Sequence, residues 1–136
     1  MNIAINLERT AFYFPHGTAV IENGKSIPYG EFNEDASRVA GSLKGLGIVP
    51  GDTVALFAPN SYHWLVFYFG ALKVGAAVAT PASALSRDEI FNTFRDCRPK
   101  VVFTTDDRLN QLESMKDETG IEYLVAPGTP TGMDSL

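Results

Sequence analysis

The sequence has little cysteine and histidine. Cys97 is the only cysteine, so no disulfide can form within the 136 residues. His16 and His63 are the only histidines, too few to complete a zinc site with that cysteine. The first residues, MNIAINLERTAFYFP, contain no basic region leading into a clean apolar stretch and therefore do not predict a signal peptide. We expect a cytoplasmic protein without a metal site of its own.

Positive charge is also scarce. The 11 lysines and arginines are outnumbered by 16 aspartates and glutamates, which gives a formal net charge of −5. Such a chain has no general field to attract a phosphate backbone, so we expect no nucleic-acid partner. The length fits one soluble domain but is short for a complete multi-domain enzyme.

No hydrophobic run is long enough to predict a membrane span. The longest runs from Trp64 to Ala79 and includes Lys73. A spanning helix needs about 20 apolar residues. The glycine at position 75, followed by AAVATP, instead predicts a helix inside a soluble core and then a strand.

The turn residues that are present predict a hairpin and a helix near the start. Asn23-Gly24 joins two short strand-like runs and suits a type I′ turn, and Pro28 predicts that the second strand ends or lies at an edge. From Glu31 the period changes to that of an amphipathic helix, which ends at Gly45 or Gly47. Its apolar positions are Phe32, Ala36, Val39, Ala40, Leu43 and Leu46.

Strands and helices then alternate. Pro50-Gly51 turns the chain into a short strand that is apolar on both faces from Val54, and Asn60 or Ser61 caps the next helix. Ser86 and Glu89 form a capping box for a helix to about residue 96. The strand KVVFTT follows, then a helix capped by Asp106, with Leu109, Leu112 and Met115 on one face, and the strand IEYLV.

This alternation predicts the α/β class. We expect a doubly wound, mainly parallel sheet with helices on both faces, preceded by the short hairpin. Residues 1–126 form this unit, and residues 127–136 are rich in turn residues and predict a flexible tail or linker.

Two glycine-containing segments resemble phosphate loops superficially. GLGIVPG, from Gly45, would have to open a helix to bind a dinucleotide, but its glycines close one. GTPTG, from Gly128, has no lysine after it and only four further residues. A helix end and a flexible tail are the favoured interpretations.

The remaining candidates also have simpler structural explanations. Local sequence places no relay partner near His16 or His63, and Cys97 sits near a helix end as small residues often do. A basic group could receive a phosphate, but a solvated helix face is favoured. This group consists of Arg87, Arg95, Arg98 and Lys100. The Asn60-Ser61 turn follows a strand, where open α/β sheets bind ligands, although helix capping suffices to explain it.

Four segments in order resemble the N-terminal part of the adenylate-forming acyl-CoA synthetases. IPYGEF resembles the family's L-T-Y-x-E-L element, with Pro28 replacing Thr and Phe32 replacing Leu. LGIVPGDTVAL, APNS and ALKVGAAVATP resemble three further family segments, and the likeness covers about residues 15–125.

The resemblance implies an enzyme that joins a carboxylate to ATP, releases pyrophosphate and transfers the acyl group to CoA. It implies ATP, Mg and CoA as cofactors of the full-length ligase. The implied substrate is a carboxylic acid, and we expect a fatty acid. The family's phosphate loop, ribose-binding acid and catalytic lysine have no match here, so we assign no catalytic residue, and the cofactor-binding residues stay unknown. The chain then corresponds to the N-terminal α/β subdomain, and its partner is the remainder of the ligase. We expect this chain alone to be inactive and to bind no cofactor.

Two other classes of function stay open. The chain could be a stand-alone, non-catalytic binding or dimerisation module, and it could then form a homo-oligomer. A monomer without exposed apolar patches would count against such a module. It could also be a flavodoxin-like nucleotide binder with its ligand at the Asn60 turn. Amino-acid adenylation domains and luciferases share the same motifs.

Overall fold

The computed structural model describes residues 2–127 and contains strands alternating with helices after an initial helix and hairpin. The strands are β1 (Thr18–Glu22), β2 (Lys25–Pro28), β3 (Thr53–Leu56), β4 (Ala77–Ala79), β5 (Val101–Phe103) and β6 (Tyr123–Val125). The α-helices are α1 (Ala4–Tyr13), α2 (Tyr29–Gly45), α3 (Tyr62–Lys73), α4 (Arg87–Cys97), α5 (Leu109–Glu113) and α6 (Lys116–Thr119), with a 3₁₀ turn at Asp106–Arg108.

The main sheet is parallel and has the order β4-β3-β5-β6. Val54 of β3 lies opposite Val78 of β4 on one side and Val101 of β5 on the other. The hairpin β1-β2 forms a separate antiparallel sheet. The predicted α/β, doubly wound fold with a preceding hairpin is therefore confirmed.

Strand β3 separates two apolar cores. Val54 and Leu56 point into the larger core, which includes side chains of α1, α2, α3 and the hairpin. Ala55 and the following Phe57 point into the second core, against α4 and α5. Alternate residues of a strand face opposite sides, so a short apolar run can contribute to both cores.

Helices α2 and α3 approach closely because α3 carries a glycine at their contact. A Cβ added to Gly70 would lie 2.5 Å from Cγ1 of Val39 and 2.9 Å from the carbonyl oxygen of Ala36. Both α2 residues are fully buried, so neither can move away into solvent. The glycine thus allows the two backbones to meet across the larger core.

The Gly-Asp turn fastens the amino ends of two strands. Gly51 adopts φ +95°, and Oδ2 of Asp52 accepts a hydrogen bond from the Val49 N–H at 2.9 Å. Nζ of Lys100, which precedes β5, lies 3.1 Å from Oδ1 of Asp52. The hydrogen bond from the Val49 N–H lowers the pKa of Asp52 most, and Lys100 lowers it further. The carboxylate thereby links the turn before β3 to the residue before β5.

Lys73 is the one charged residue of the long apolar run, and it fastens helix α1. Its side chain is only 8% exposed, and Nζ lies 2.8 Å from both Oε1 of Glu8 and Oδ1 of Asn33. Asn2 also donates a hydrogen bond to the carbonyl of Leu72. The run forms helix α3 as predicted, and among residues 2–127 no helix has the length and apolar character needed to cross a membrane.

Two turn and cap predictions are confirmed. Asn23 and Gly24 have φ of 51° and 78°, the positive angles that a type I′ turn requires. The Ser86 side chain accepts from the Glu89 N–H at 3.3 Å, and the Glu89 carboxylate accepts from the Ser86 N–H at 2.8 Å. These local bonds are specified by neighbouring residues alone.

The prediction of one helix capped by Asp106 is wrong. Asp106 is the first residue of the 3₁₀ turn, and Thr105 occupies the cap position. Helices α5 and α6 are separated by Ser114 and Met115, and the Ser114 hydroxyl donates to the Gln111 carbonyl at 2.6 Å. This local bond competes with a continuous helix. The predicted tail at 127–136 lies, except for residue 127, outside the described residues.

We expect opposite effects from alanine at two helical glycines. Gly70→Ala should lower the free energy of unfolding by about 1–3 kcal/mol, because the added methyl overpacks the α2–α3 contact. Gly41→Ala is the matched control, since its Cβ meets nothing within 4 Å on exposed α2 surface, and should raise stability by roughly 0.5–1 kcal/mol. Urea denaturation measures both, and equal effects of the two substitutions would contradict the close approach at Gly70.

Candidate functional site

The chain connections diverge at the carboxyl ends of β3 and β5. Strand β3 leads through α3 to β4 on one side, whereas β5 leads through α5 and α6 to β6 on the other. Open α/β sheets bind ligands in the crevice outside such a switch point. We call the segments 57–61, 80–86 and 104–108, which follow β3, β4 and β5, the carboxyl edge.

Thr104 forms a rigid floor for the carboxyl edge. It is fully buried, and its hydroxyl donates to the Phe57 carbonyl at 2.8 Å. The Phe57 N–H donates to the Phe103 carbonyl at 2.8 Å, and the Thr104 N–H donates to the Val125 carbonyl at 2.8 Å. The ends of β3, β5 and β6 are thereby joined by three hydrogen bonds.

The Asn60-Ser61 turn starts helix α3. Oγ of Ser61 accepts from the Trp64 N–H at 3.1 Å, which confirms capping at this turn and assigns it to the serine. Asn60 is exposed. The first N–H of the helix, that of Tyr62, donates to Oε1 of Glu22 in β1 at 2.9 Å. The helix start is therefore held by its own cap and by the hairpin.

An open groove of 370 Å³ lies between β1 and the start of α3. Its walls include Val20, Ile21, Trp64 and Leu65, together with the polar residues Asn60 and Ser61. The side chain of Trp64 stacks on that of Tyr68 with ring centroids 5.4 Å apart, which holds the indole in place. The groove is mainly apolar and suits a hydrophobic segment or ligand better than a phosphate group.

Tyr62 connects three elements beside this groove. Its O–H donates to Oδ2 of Asp35 in α2 at 2.5 Å, and the same carboxylate pairs with Arg38. Burial is the main cause, and the Asp35 carboxylate the second, of a Tyr62 pKa far above its ordinary value. Tyr62 therefore stays protonated, and its hydroxyl serves as a hydrogen-bond donor between α3 and α2.

Arg108 lies on the other side of the carboxyl edge. The central carbon of its guanidinium is 4.2 Å from the centroid of the Phe57 ring, and Nη2 donates to the Ser83 carbonyl at 2.5 Å. The sequence analysis did not single out this residue. No local pattern could have placed it against a ring 51 positions earlier in the chain.

The histidines and the cysteine are not brought together in a catalytic arrangement. His16 is exposed, and His63 contacts the ring of Tyr62 at 6.2 Å between centroids. In residues 2–127 neither histidine makes a hydrogen bond to a nucleophile or carboxylate. Burial raises the pKa of the half-buried Cys97, which disfavours the reactive thiolate.

The basic group of the sequence does not converge on one point. Arg87 bonds to Ser114 at 3.4 Å, and Arg95 stacks over a neighbouring phenylalanine ring at 5.6 Å. Arg98 donates to a carbonyl of α6 at 3.5 Å, and Lys100 pairs with the Gly-Asp turn.

The GLGIVPG segment does not lie at the crevice either. Its Gly45 closes α2 before β3, at the opposite edge of the sheet.

The described residues do not fit a Mg-ATP site. Residues 2–127 contain no group of three or more His, Cys, Asp or Glu side chains able to hold a metal ion. No helix in this range begins with a glycine-rich loop and a lysine, the arrangement that cradles phosphates. The GTPTG segment lies outside the described residues.

Comparisons with known proteins agree on one family. The family model described as AMP-binding enzyme matches residues 7–132. The acetoacetyl-CoA synthetase of Caenorhabditis elegans is 32% identical over 127 residues, which cover 85% of this chain and 18% of that protein. The long-chain-fatty-acid–CoA ligase FadD13 of Mycobacterium tuberculosis is 31% identical over 140 residues, covering 99% of this chain and 27% of that protein.

Solved structures show the same likeness. The anthranilate CoA ligase AuaEII, in complex with anthranoyl-AMP, superposes with a TM-score of 0.88 at 27% identity, covering 98% of this chain and 26% of that one. The N-terminal domain of FACL13 from Mycobacterium tuberculosis superposes with a TM-score of 0.85 at 28% identity, covering 93% and 34%. The chain thus spans about a fifth to a third of the length of these four proteins.

Alanine substitutions at the Asn60-Ser61 turn should distinguish the contributions of the two residues to stability. Ser61→Ala removes the acceptor of the Trp64 N–H and should lower the free energy of unfolding by about 1 kcal/mol. Asn60→Ala, at the exposed neighbouring position, should change it by less than about 0.5 kcal/mol. Thermal and urea unfolding measure the difference, and a larger loss from Asn60→Ala would show that the cap is assigned to the wrong residue.

Proposed function

This chain belongs to the AMP-binding enzyme family, and we propose that it forms the N-terminal α/β part of an ATP-dependent acyl-CoA ligase. The observation that carries the proposal is the superposition of nearly the whole chain on about a quarter of a CoA ligase, at a TM-score of 0.88. Such a ligase condenses a carboxylate with ATP to an acyl adenylate and pyrophosphate and then transfers the acyl group to the thiol of CoA.

In this proposal the chain supplies the scaffold of the ligase. The Asp52–Lys100 pair fixes the amino ends of β3 and β5, and Thr104 fixes the opposite ends. ATP would supply the adenylyl group, Mg would offset phosphate charge and CoA would supply the thiol, but the described residues offer no set of donors for Mg-ATP. We therefore assign adenylation and thioester formation to the remainder of the ligase chain.

We propose a fatty acid as the carboxylate and the cytoplasm as the compartment. The relative FadD13 is a long-chain-fatty-acid–CoA ligase, which supports a fatty acid as the substrate. Acetoacetyl-CoA synthetase and anthranilate CoA ligase are relatives of comparable likeness, and their names indicate other acids. The names of these relatives have a carboxylic acid in common and differ in which acid it is.

We also propose that residues 1–126 are the N-terminal α/β subdomain and that residues 127–136 are a tail or linker. Strand β6 ends at Val125, where the described sheet ends. The open groove beside β1 and the exposed Ile21, 71% accessible, offer apolar surface for the remainder of the ligase to cover.

The purified 136-residue chain should show no ATP–pyrophosphate exchange above background. Acetate, a medium-chain and a long-chain fatty acid are each tested with Mg-ATP, and FadD13 serves as the positive control. The reason is the lack of a Mg-ATP donor set in residues 2–127. A thermal-shift titration with ATP, run in parallel, should likewise show no change.

Exchange by the 136-residue chain would contradict the scaffold assignment, because the phosphate site would then lie within it. Exchange by a longer product of the same gene would support the ligase proposal. A longer product that folds but exchanges with none of the acids would contradict it.

A further inference from the structure

We propose that helix α1 docks on a phospholipid surface. Its solvent-exposed side carries Ile5, Arg9, Phe12 and Tyr13. These positions follow one another at steps of four, three and one, so they lie along one side of the helix. We call these four residues the α1 stripe. Docking through the stripe goes beyond ligase activity and does not depend on it.

Exposed apolar surface is concentrated at this helix. Phe12 is 79% accessible, and Tyr13 and the adjacent Phe14 are each 67% accessible. Of the eight large hydrophobic residues that are exposed within residues 2–127, five lie between positions 3 and 14. Single apolar side chains are normal on a protein surface, whereas a contiguous apolar patch indicates contact with a partner or a membrane.

The folded core holds the α1 stripe in its exposed position. The opposite side of the helix is buried and consists of Ala4, Leu7 and Ala11. Nζ of Lys73 in α3 pairs with Oε1 of Glu8 at 2.8 Å. The rings of Phe12 and Tyr13 contact each other edge to face, with centroids 5.1 Å apart. A rotation of α1 that hid the stripe would expose the three buried residues and break the ion pair.

The α1 stripe also carries a positive charge without a partner. Within the described part of the chain Arg9 makes no ion pair. Glu8 is the only acidic residue between positions 2 and 17, and it is already paired with Lys73. A guanidinium binds phosphate oxygens well, and tyrosine and phenylalanine rings bury in the boundary between lipid headgroups and acyl chains. A phospholipid surface therefore offers a partner to both chemistries of the stripe.

A second copy of the chain fits the α1 stripe less well. In a two-fold contact the same face of both copies meets. Two copies of Arg9 would then share one interface, and α1 has no free carboxylate to place between them because Glu8 is engaged. Like charges in an interface oppose association.

The contact with lipid is superficial. Helix α1 has ten residues, about half the length of a membrane span, so it can lie on a lipid surface without crossing it. The net charge of −5 opposes a strongly anionic surface, although the stripe itself attracts phosphate groups. We therefore expect binding to zwitterionic lipid, with at most a modest gain from anionic lipid.

The test is co-sedimentation of the 136-residue chain with phospholipid vesicles at physiological ionic strength. One set of vesicles contains phosphatidylcholine alone, and the other contains a minor share of phosphatidylglycerol. We expect the bound fraction to rise with lipid concentration to saturation on both sets. Arg9→Gln should weaken binding to the mixed vesicles about fivefold, since one arginine near an anionic surface contributes about that factor.

A double variant and a matched control locate the contact. Phe12→Ser combined with Tyr13→Ser should weaken binding to both sets of vesicles at least tenfold. Both side chains are exposed, so urea denaturation should show an unchanged fold. Val49→Ser is the control, because Val49 is 53% accessible in the turn before β3, away from α1, and should bind as the unaltered chain does.

Tryptophan fluorescence tests the orientation of the docked chain. Phosphatidylcholine with brominated acyl chains quenches only indole rings that reach the acyl layer. Phe12→Trp should be quenched beyond the level that Trp64 gives in the unaltered chain, whereas Val49→Trp should not.

Four results would overturn lipid docking by the α1 stripe. Two are the absence of saturable binding to either set of vesicles and equal binding by the Phe12→Ser, Tyr13→Ser variant. The third is a dimer in analytical ultracentrifugation that this variant abolishes, which would identify a second copy as the occupant. The fourth is binding by the 136-residue chain but not by a longer product of the same gene, because the remainder of the ligase would then cover the stripe.

Discussion

The fold depends on one short strand that both cores share. Thr53–Leu56 has three fully buried residues, and the alternation of a strand sends Val54 and Leu56 to one core and Ala55 with the following Phe57 to the other. The same strand pairs with β4 and β5. Each core therefore packs against a surface that the other core holds in place, and loss of β3 would remove one wall from both.

The two edges of this sheet have different roles. The amino edge is closed by one carboxylate, since Asp52 accepts the Val49 N–H and pairs with Lys100. The carboxyl edge has a rigid floor in Thr104 and carries the exposed Asn60. A scaffold that is fixed on one edge and open on the other fits the role that we propose for this chain, as one part of an acyl-CoA ligase.

Local signals and distant contacts explain which parts of the structure the sequence could predict. The Asn23-Gly24 turn and the Ser86 capping box are decided by residues within three positions of each other, so their patterns were sufficient. Helix α1 was not predicted, because it buries only Ala4, Leu7 and Ala11 and is fastened through Lys73, 65 positions after Glu8. Arg108 was missed for the same reason, since its contacts with Phe57 and Ser83 exist only in the folded chain.

Native-state hydrogen exchange of the 136-residue chain tests the central role of β3 most directly. The shared strand predicts that the amides of Val54–Leu56 and Val101–Phe103 exchange most slowly. It also predicts that they exchange with the opening free energy that denaturant unfolding gives for the whole chain. The contradictory result is two distinct opening free energies for the two cores, with β3 exchanging faster than helix α2, because the cores would then fold independently of the strand between them.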